Sequence, residues 1–74
     1  MYMTPNERLK EMRIRHGLRQ AEVAELLNTT QRQISKYERG LQVMGTDKYI
    51  ILAKHYNVSL DYLTGLIGTP RKLH

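Results

Sequence analysis

The sequence predicts an all-α domain built from five short helices, and three observations carry this prediction. Apolar residues recur at three- and four-residue spacing, helix-capping residues precede these segments, and glycine or asparagine follows them. No segment shows the alternation of a strand. A chain of 74 residues has room for one small core. We therefore predict one domain over residues 1–66 and a C-terminal tail over 67–74.

The first helix is predicted from its capping signals. Thr4-Pro5-Asn6-Glu7 supplies a hydroxyl cap, a proline in the first turn and a glutamate three residues after the cap. Leu9, Met12 and His16 then follow at helical spacing and predict the buried face. Gly17 is expected to end the helix.

Two further helices follow in close succession. Residues 20–27 form the second, and Asn28 can end it sharply because asparagine tolerates positive φ. Thr30 can cap a third helix over residues 31–39, and Gln33 stands where it could complete a capping box. Two short helices joined by three polar residues must cross steeply, and Ala24 is small enough for the crossing point.

The last two helices are predicted over residues 47–56 and 59–64. The fourth contains several apolar residues at helical spacing and is the most hydrophobic of the set. Ser59 is a good N-cap for the fifth, and Asp61 lies in its first turn, where the helix dipole favours negative charge.

The composition restricts the classes of function. The net charge of +5 favours a polyanionic partner, since each neutralised phosphate releases counterions. There is no cysteine for a disulfide or a thiolate metal site, and the three histidines have no ligand spacing, so we expect neither metal nor cofactor. No paired-acid or nucleophile–base pattern suggests an enzyme. Without a secretion signal or a long apolar run, a cytoplasmic location is expected.

The third helix carries the most informative pattern. Only Ile34 and Tyr37 turn inward, and they anchor the helix against the second. Its other side chains are long, polar and often basic, which suits a probe better than a core element. The outward residues are Gln31, Arg32, Gln33, Ser35, Lys36 and Arg39.

These residue types match the hydrogen-bonding groups in the major groove of DNA. Glutamine can bind adenine N6 and N7, and arginine can bind guanine O6 and N7. We therefore assign Gln31 and Arg32, at the entering end of the helix, to base edges. Lys36 should reach a base or a phosphate, and the methyl of Thr30 is a lesser candidate for a base contact. The role of Gln33 stays open, because capping competes with outward display.

With this pattern the sequence resembles the Cro/lambda-repressor type of helix-turn-helix domain. The matching stretches are "RQAEVAELLNTTQRQISKYERG" and "LAKHYNVSLDYLTG". The resemblance implies a five-helix lambda-repressor-like fold in which residues 20–40 form the helix-turn-helix unit. It also implies a transcriptional regulator that binds double-stranded DNA sequence-specifically. The expected form is a repressor that binds a near-palindromic operator as a homodimer.

The resemblance also implies roles for individual residues. Gln20 would bond a phosphate and support the first residue of the third helix, and Arg39 would contact the DNA backbone. Arg13 and Glu38 would form a structural ion pair. Ser35 is a further phosphate candidate. Arg19 stands where the family has a threonine or serine cap, and it is expected to contact phosphate instead.

One departure keeps a second hypothesis open. Where the family often has a basic residue and proline, this chain has an uncharged segment that leaves Leu41, Val43 and Met44 for packing or for a protein partner. An antitoxin-like or anti-regulator protein-interaction module on the same fold is therefore the alternative. By resemblance, dimer contacts are expected at residues 56–58, the last helix and the tail.

Overall fold

The computed structural model describes residues 3–64, which form five α-helices and no strand. The all-helical fold is as predicted, and the bounds of the second to fifth helices differ from the predicted ones by at most one residue at either end. The predicted tail, residues 67–74, lies outside the described residues. None of the helices described is long and apolar enough to cross a bilayer. The helices are α1 (Pro5–Arg15), α2 (Gln20–Leu26), α3 (Gln31–Glu38), α4 (Thr46–Tyr56) and α5 (Leu60–Leu63).

Side-chain caps fix where the helices begin. The backbone N–H of Glu7 donates to Thr4 Oγ1 over 3.3 Å, and Glu7 Oε1 accepts from the backbone N–H of Thr4 at 2.9 Å. This reciprocal pair is the predicted capping box, and Pro5 follows it in the first turn. Ser59 Oγ likewise accepts from the backbone N–H of Tyr62 at 3.2 Å, so the start of α5 was also predicted correctly.

Replacing Glu7 with glutamine should remove a stabilisation that depends on pH. Hydrogen bonds from Thr4, first from its side chain and then from its backbone, hold the pKa of the Glu7 carboxyl below its usual value of 4.5. Because the folded-state pKa is the lower one, the stabilisation is complete above about pH 4.5 and is lost as the pH falls further, through the folded-state pKa. Thermal unfolding of both chains should show a difference in Tm at about pH 7 that shrinks toward about pH 3. A difference independent of pH would contradict this origin.

The helices end on residues in the left-handed region. Gly17 and Asn28 adopt φ values of +67° and +54°, which confirms the predicted ends of α1 and α2. After Asn28 closes α2, the backbone N–H of Thr29 donates to the carbonyl of Ala24 at 2.9 Å. Asn57, at φ +57°, ends α4 in the same conformation without having been anticipated. These sharp ends keep the connections short and set the angle between α2 and α3.

One continuous core lies between the helices. Met12 and Leu63 are its most deeply buried large side chains, with exposed fractions of 1% and 0%. Helix α3 packs against α1 and α2, whereas α5 packs against α1 and α4. The other core residues are Leu9, Val23, Ala24, Leu27, Ile34, Tyr37, Met44, Leu52, Ala53, Tyr56, Val58 and Tyr62.

The structure corrects the expectations for His16 and for the junction 56–58, and it decides between the two roles left open for Met44. His16 was placed on the buried face of α1, but it lies beyond the last helical residue, and its exposed ring packs over Tyr56 with centroids 4.4 Å apart. Met44, for which packing and a protein partner were both left open, is only 4% exposed and belongs to the core. The side chains of Tyr56 and Val58 are also buried, which leaves Asn57 as the exposed residue of the junction expected to form a dimer.

A buried arginine joins the two ends of the domain. The guanidinium of Arg8 lies 4.0 Å from the centroid of the Tyr62 ring, and its Nη1 donates to the Tyr62 carbonyl at 3.1 Å. Arg15 Nη1 donates to the hydroxyl of the same tyrosine at 2.8 Å. Because α5 has only four residues, these contacts to α1 hold a helix too short to be stable alone.

Candidate nucleic-acid interface

Two apolar side chains anchor α3 to the rest of the domain. Ile34 and Tyr37 are 3% and 7% exposed and lie in the core, as their spacing predicted. Successive residues of a helix are rotated by about 100°, so these two anchors direct Arg32 and Lys36 toward the opposite side. The polar face of α3 is consequently turned away from the core, with its two ends more exposed than its middle.

The predicted contact residues share this outward face. Gln31, Arg32 and Arg39 are exposed, as is the capping residue Thr30, while Ser35 and Lys36 are partly buried. Arg32 and Lys36 are one turn apart, so their charges lie on one ridge of the helix. The structure therefore brings together the four residues assigned to bases, which are Thr30, Gln31, Arg32 and Lys36.

The cap of α3 decides between the two roles left open for Gln33. Thr30 Oγ1 accepts from the backbone N–H of Gln33 at 3.1 Å, which is the first half of a capping box. The side chain of Gln33 does not complete it. Instead, Gln33 Nε2 donates to Gln42 Oε1 in the following loop at 2.7 Å. The side chain of Gln33 thus takes no part in the cap and is turned outward beside the loop.

Behind the polar face, a buried ion pair joins α1 to the end of α3. Arg13 Nε lies 2.6 Å from Glu38 Oε2, and Arg13 Nη2 donates to Glu38 Oε1 at 3.1 Å. The two side chains are 14% and 5% exposed. Arg13 Nη1 also donates to the carbonyl of Leu18 at 3.0 Å, so all three nitrogens of the guanidinium are hydrogen-bonded. Two parallel bonds to one carboxylate give this pair a defined geometry.

The same carboxylate influences two neighbouring ionisable groups. Its hydrogen bond and charge raise the pKa of Arg13, although burial opposes this effect. The pKa of Tyr56 is raised to about 12, first by burial and then by the negative charge of Glu38, while Arg13 acts in the other direction. Both Arg13 and Tyr56 therefore keep their protons at neutral pH, and the charge of the pair is balanced inside the domain.

Gln20 is held by this ion pair and not by α3's first residue. Gln20 Nε2 donates to Glu38 Oε1 at 3.1 Å, which places the amide at the start of α2 and beside the end of α3. The bond observed for Gln20 is to Glu38, and its expected support of Gln31 and its phosphate contact stay predictions. A carboxylate with low exposure attracts the amide N–H more strongly than a neutral glutamine would. The second N–H of Gln20 stays available to an external acceptor.

Two arginines at helix ends add positive charge: Arg19 precedes α2 and Arg39 follows α3. Arg19 is 83% exposed and its Nε lies 3.2 Å from Glu22 Oε1, whose carboxylate also accepts from the Arg19 backbone N–H at 2.9 Å. As expected, Arg19 offers no hydroxyl cap to α2. Arg39 Nε makes a long bond of 3.4 Å to the carbonyl of Ser35. The exposed ion pair of Arg19 contributes little stability, and the hydrogen bond of Arg39 is long. Both guanidinium groups can therefore exchange these partners for phosphates.

The loop after α3 is shaped by close packing at its start. Gly40 adopts φ +73°, and a Cβ at this position would lie 3.2 Å from Asn6 Nδ2. Asn6 Nδ2 itself donates to the carbonyl of Glu38 at 3.4 Å. Beyond Gly40, Leu41 and Val43 are 65% and 89% exposed. The loop is therefore tied to α1 at one end and presents two apolar side chains to solvent.

The comparison with known families agrees with this geometry. A model of the helix-turn-helix family, of the Cro/C1 type, matches residues 9–63, which include all of α2 and α3. The chain belongs to the Cro/C1-type helix-turn-helix family. This family consists of transcriptional regulators and not of enzymes.

Individual Cro/C1-type relatives extend the comparison. The chain is 44% identical over 70 residues to the HTH-type transcriptional regulator ImmR of Bacillus subtilis, covering 95% of this chain and 55% of that protein. It is 34% identical over 64 residues to the uncharacterised HTH-type regulator YobD of the same organism, covering 86% of this chain and 57% of that protein. The chain thus spans little more than half the length of these relatives.

Two solved structures share the Cro/C1-type fold. A transcriptional regulator from Listeria innocua superposes with a TM-score of 0.83 at 31% identity, over 90% of this chain and 63% of that one. The P22 c2 repressor, solved in complex with a synthetic operator, superposes with a TM-score of 0.74 at 26% identity, over 82% of this chain and 92% of that one. Both comparisons support the arrangement of the five helices.

Sequence reasoning missed three residues, two of which bond to α3 and one of which joins α1 to α5. Gln42 bonds to Gln33, and Asn6 bonds to the carbonyl of Glu38, so each contact joins separate segments of the chain. Arg8 was overlooked because a charged residue is rarely buried without a visible partner. No local pattern identifies such partners. One signal was available for Gln42, since it carries the only side-chain amide of the loop 41–45 and its carbonyl can accept a hydrogen bond.

Proposed function

We propose that this chain binds operator DNA sequence-specifically through α3 and that it acts in transcriptional repression. One observation carries the proposal: α3 is held by two buried side chains while its glutamine, arginine and lysine residues face solvent together. Such a helix fits the major groove, where amide and guanidinium groups distinguish base pairs. Similarity to the transcriptional regulator ImmR and to the operator-bound P22 c2 repressor supports the same assignment.

In this proposal the side chains divide into two groups. Gln31, Arg32 and Lys36 contact base edges, with a minor contribution from the methyl of Thr30. The residues around them hold the sugar-phosphate backbone, which positions the helix without selecting a sequence. These phosphate-binding residues are Arg19, Gln20, Ser35 and Arg39.

The charge distribution supports the proposed orientation. Arg32, Lys36 and Arg39 lie on α3, and Arg19 lies at the start of α2. The single acid of α3, Glu38, is neutralised inside the domain by Arg13. The outward surface of α3 is therefore positive, and each phosphate it neutralises releases condensed counterions.

A homodimer on a near-palindromic site follows from the small size of this surface. One α3 supplies few base contacts, whereas two copies about 34 Å apart reach successive turns of the same groove. Since Tyr56 and Val58 are buried, such a dimer must use other side chains. Leu60 on α5 is 37% exposed and is one candidate.

Selection of bound sequences from random duplex DNA tests the proposal. We expect an inverted repeat to be enriched, and binding to it should weaken with salt by a log–log slope of about −0.9 for each phosphate neutralised. A scrambled duplex of the same length is the control for sequence preference. Equal binding to both duplexes, or a flat salt response, would overturn the proposal.

The protein-interaction alternative rests on the loop after α3. Leu41 and Val43 are the most exposed large hydrophobic side chains among the described residues. If selection recovers no preferred sequence and a protein partner copurifies in fixed stoichiometry, binding through this loop replaces DNA binding. Loss of that partner in Val43→Asp, with Lys54→Asp on α4 as the control, would locate the contact.

A further inference from the structure

Gln33 occupies a position on α3 that the proposed function leaves unassigned. Its backbone N–H is used by the Thr30 cap, while its side chain is held by Gln42 at 2.7 Å. Among the outward glutamines of α3, this is the one whose side-chain amide has a hydrogen-bonding partner within the described residues. Its orientation is therefore set before any ligand arrives.

The helical geometry places Gln33 beside the proposed base-contacting ridge. With about 100° between residues, Gln33 lies on the flank of the Arg32–Lys36 ridge that faces the loop, whereas Ser35 lies on the flank that faces α2. Gln20, bonded to Glu38, borders the second flank. Gln42 borders the first flank, and it is exposed. The two sides of α3 are thus each bordered by a glutamine from a neighbouring element.

The amide chemistry leaves Gln33 able to bind a base. A primary amide has two N–H donors and one carbonyl acceptor, and the bond to Gln42 uses a single N–H. One donor and one acceptor remain on Gln33, which is the pair that adenine N7 and N6 require. Gln42 accepts through Oε1, so both of its own N–H groups stay free as donors to a phosphate oxygen.

We infer that Gln33 is a further base-contacting residue with a preference for adenine, and that Gln42 is its positioning residue. This inference rests on the proposed function. A long side chain that is already oriented loses less conformational entropy on binding, so the contact gains from the bond to Gln42. The uncharged loop acquires a role in this arrangement, because a cation at residue 42 would offer no acceptor to Gln33 Nε2.

Selection from random duplex DNA should be repeated with four variants of the chain. Gln33→Ala should lose the preference for adenine at one base pair by about tenfold or more. Gln42→Ala should relax the preference at that same pair. Gln42→Glu keeps an acceptor for Gln33 and should retain the preference, although its negative charge weakens binding to all sequences. Leu41→Ala, an exposed neighbour without a hydrogen bond, is the control and should select the wild-type sequence.

Each outcome separates the inference from the function beneath it. If wild type selects a sequence and Gln33→Ala keeps every preference, the base contact is overturned while DNA binding stands. If Gln33→Ala loses a preference that Gln42→Ala retains, the positioning role of Gln42 is overturned. If wild type selects no sequence, the proposed function fails and the inference fails with it. Circular dichroism of each variant verifies that these surface changes leave the fold intact.

Discussion

Replacing Glu38 with alanine should lower the free energy of unfolding by about 3 kcal/mol, because it leaves a largely buried guanidinium without its counter-charge. Arg13 makes two bonds to this carboxylate and is only 14% exposed, so water can replace Glu38 only in part. The amide of Gln20 also loses its acceptor. The same substitution should therefore weaken DNA binding, since Gln20 is proposed to bind phosphate.

Urea unfolding followed by circular dichroism measures this loss. Glu25→Ala is the matched control, because Glu25 is an exposed acid on α2 and its removal changes the net charge equally. We expect the control to change stability by less than about 0.5 kcal/mol. Replacing both partners, as in Arg13→Met with Glu38→Leu, should recover most of the stability. Equal effects of Glu38→Ala and Glu25→Ala would contradict a structural role for the pair.

Replacing Arg32 with alanine should cost about 1–3 kcal/mol of binding free energy on the selected operator and relax the preference at one base pair. Arg32 is exposed at the entering end of α3, and its planar guanidinium can make two bonds to one guanine. On scrambled DNA the loss should be smaller, because no base-specific bond is made there. The substitution therefore reduces discrimination as well as affinity.

Arg39→Ala is the matched comparison, since it removes the same side chain and the same charge from the other end of α3. It should weaken operator and scrambled DNA by similar factors and make the salt slope shallower by about 0.9. Fluorescence anisotropy with both duplexes over a salt series measures the two effects together. If both variants lower both affinities alike, Arg32 contacts the backbone and its assignment to a base is wrong.

The helix ends could be predicted because their causes are local. Thr4 and Glu7 are three residues apart, and their capping bonds need only the first turn of α1. Asn28 and Gly17 end helices through their own conformational preferences. Interactions confined to a few residues leave a signature in the sequence, and these signatures also indicated five helices.

The remaining contacts could not be predicted from local patterns because distant chain segments form them. Arg8 and Tyr62 are 54 positions apart, and no spacing announces that α5 will lie over α1. The bond from Gln20 to Glu38 joins residues 18 positions apart, and no local pattern indicated it. Resemblance indicated the Arg13–Glu38 pair, whereas its geometry required the packed helices.

The candidate interface lies between these two cases. Once Ile34 and Tyr37 are known to face inward, helical periodicity gives the outward residues of α3. Periodicity does not say which outward side chain is already bonded to a neighbour. Gln33 illustrates this limit, since both the cap and the loop were within its reach and the choice depended on where Gln42 lies.

The division of labour along α3 has an evolutionary consequence. Because three buried residues, Ile34, Tyr37 and Glu38, secure the helix, most exchanges among its solvent-facing residues alter chemistry at the surface and leave the interior untouched. A lineage with this architecture can acquire a new target sequence through a few point mutations without passing through unfolded intermediates. Duplicated copies can diverge in the same way, so that closely similar domains come to control separate genes in one cell.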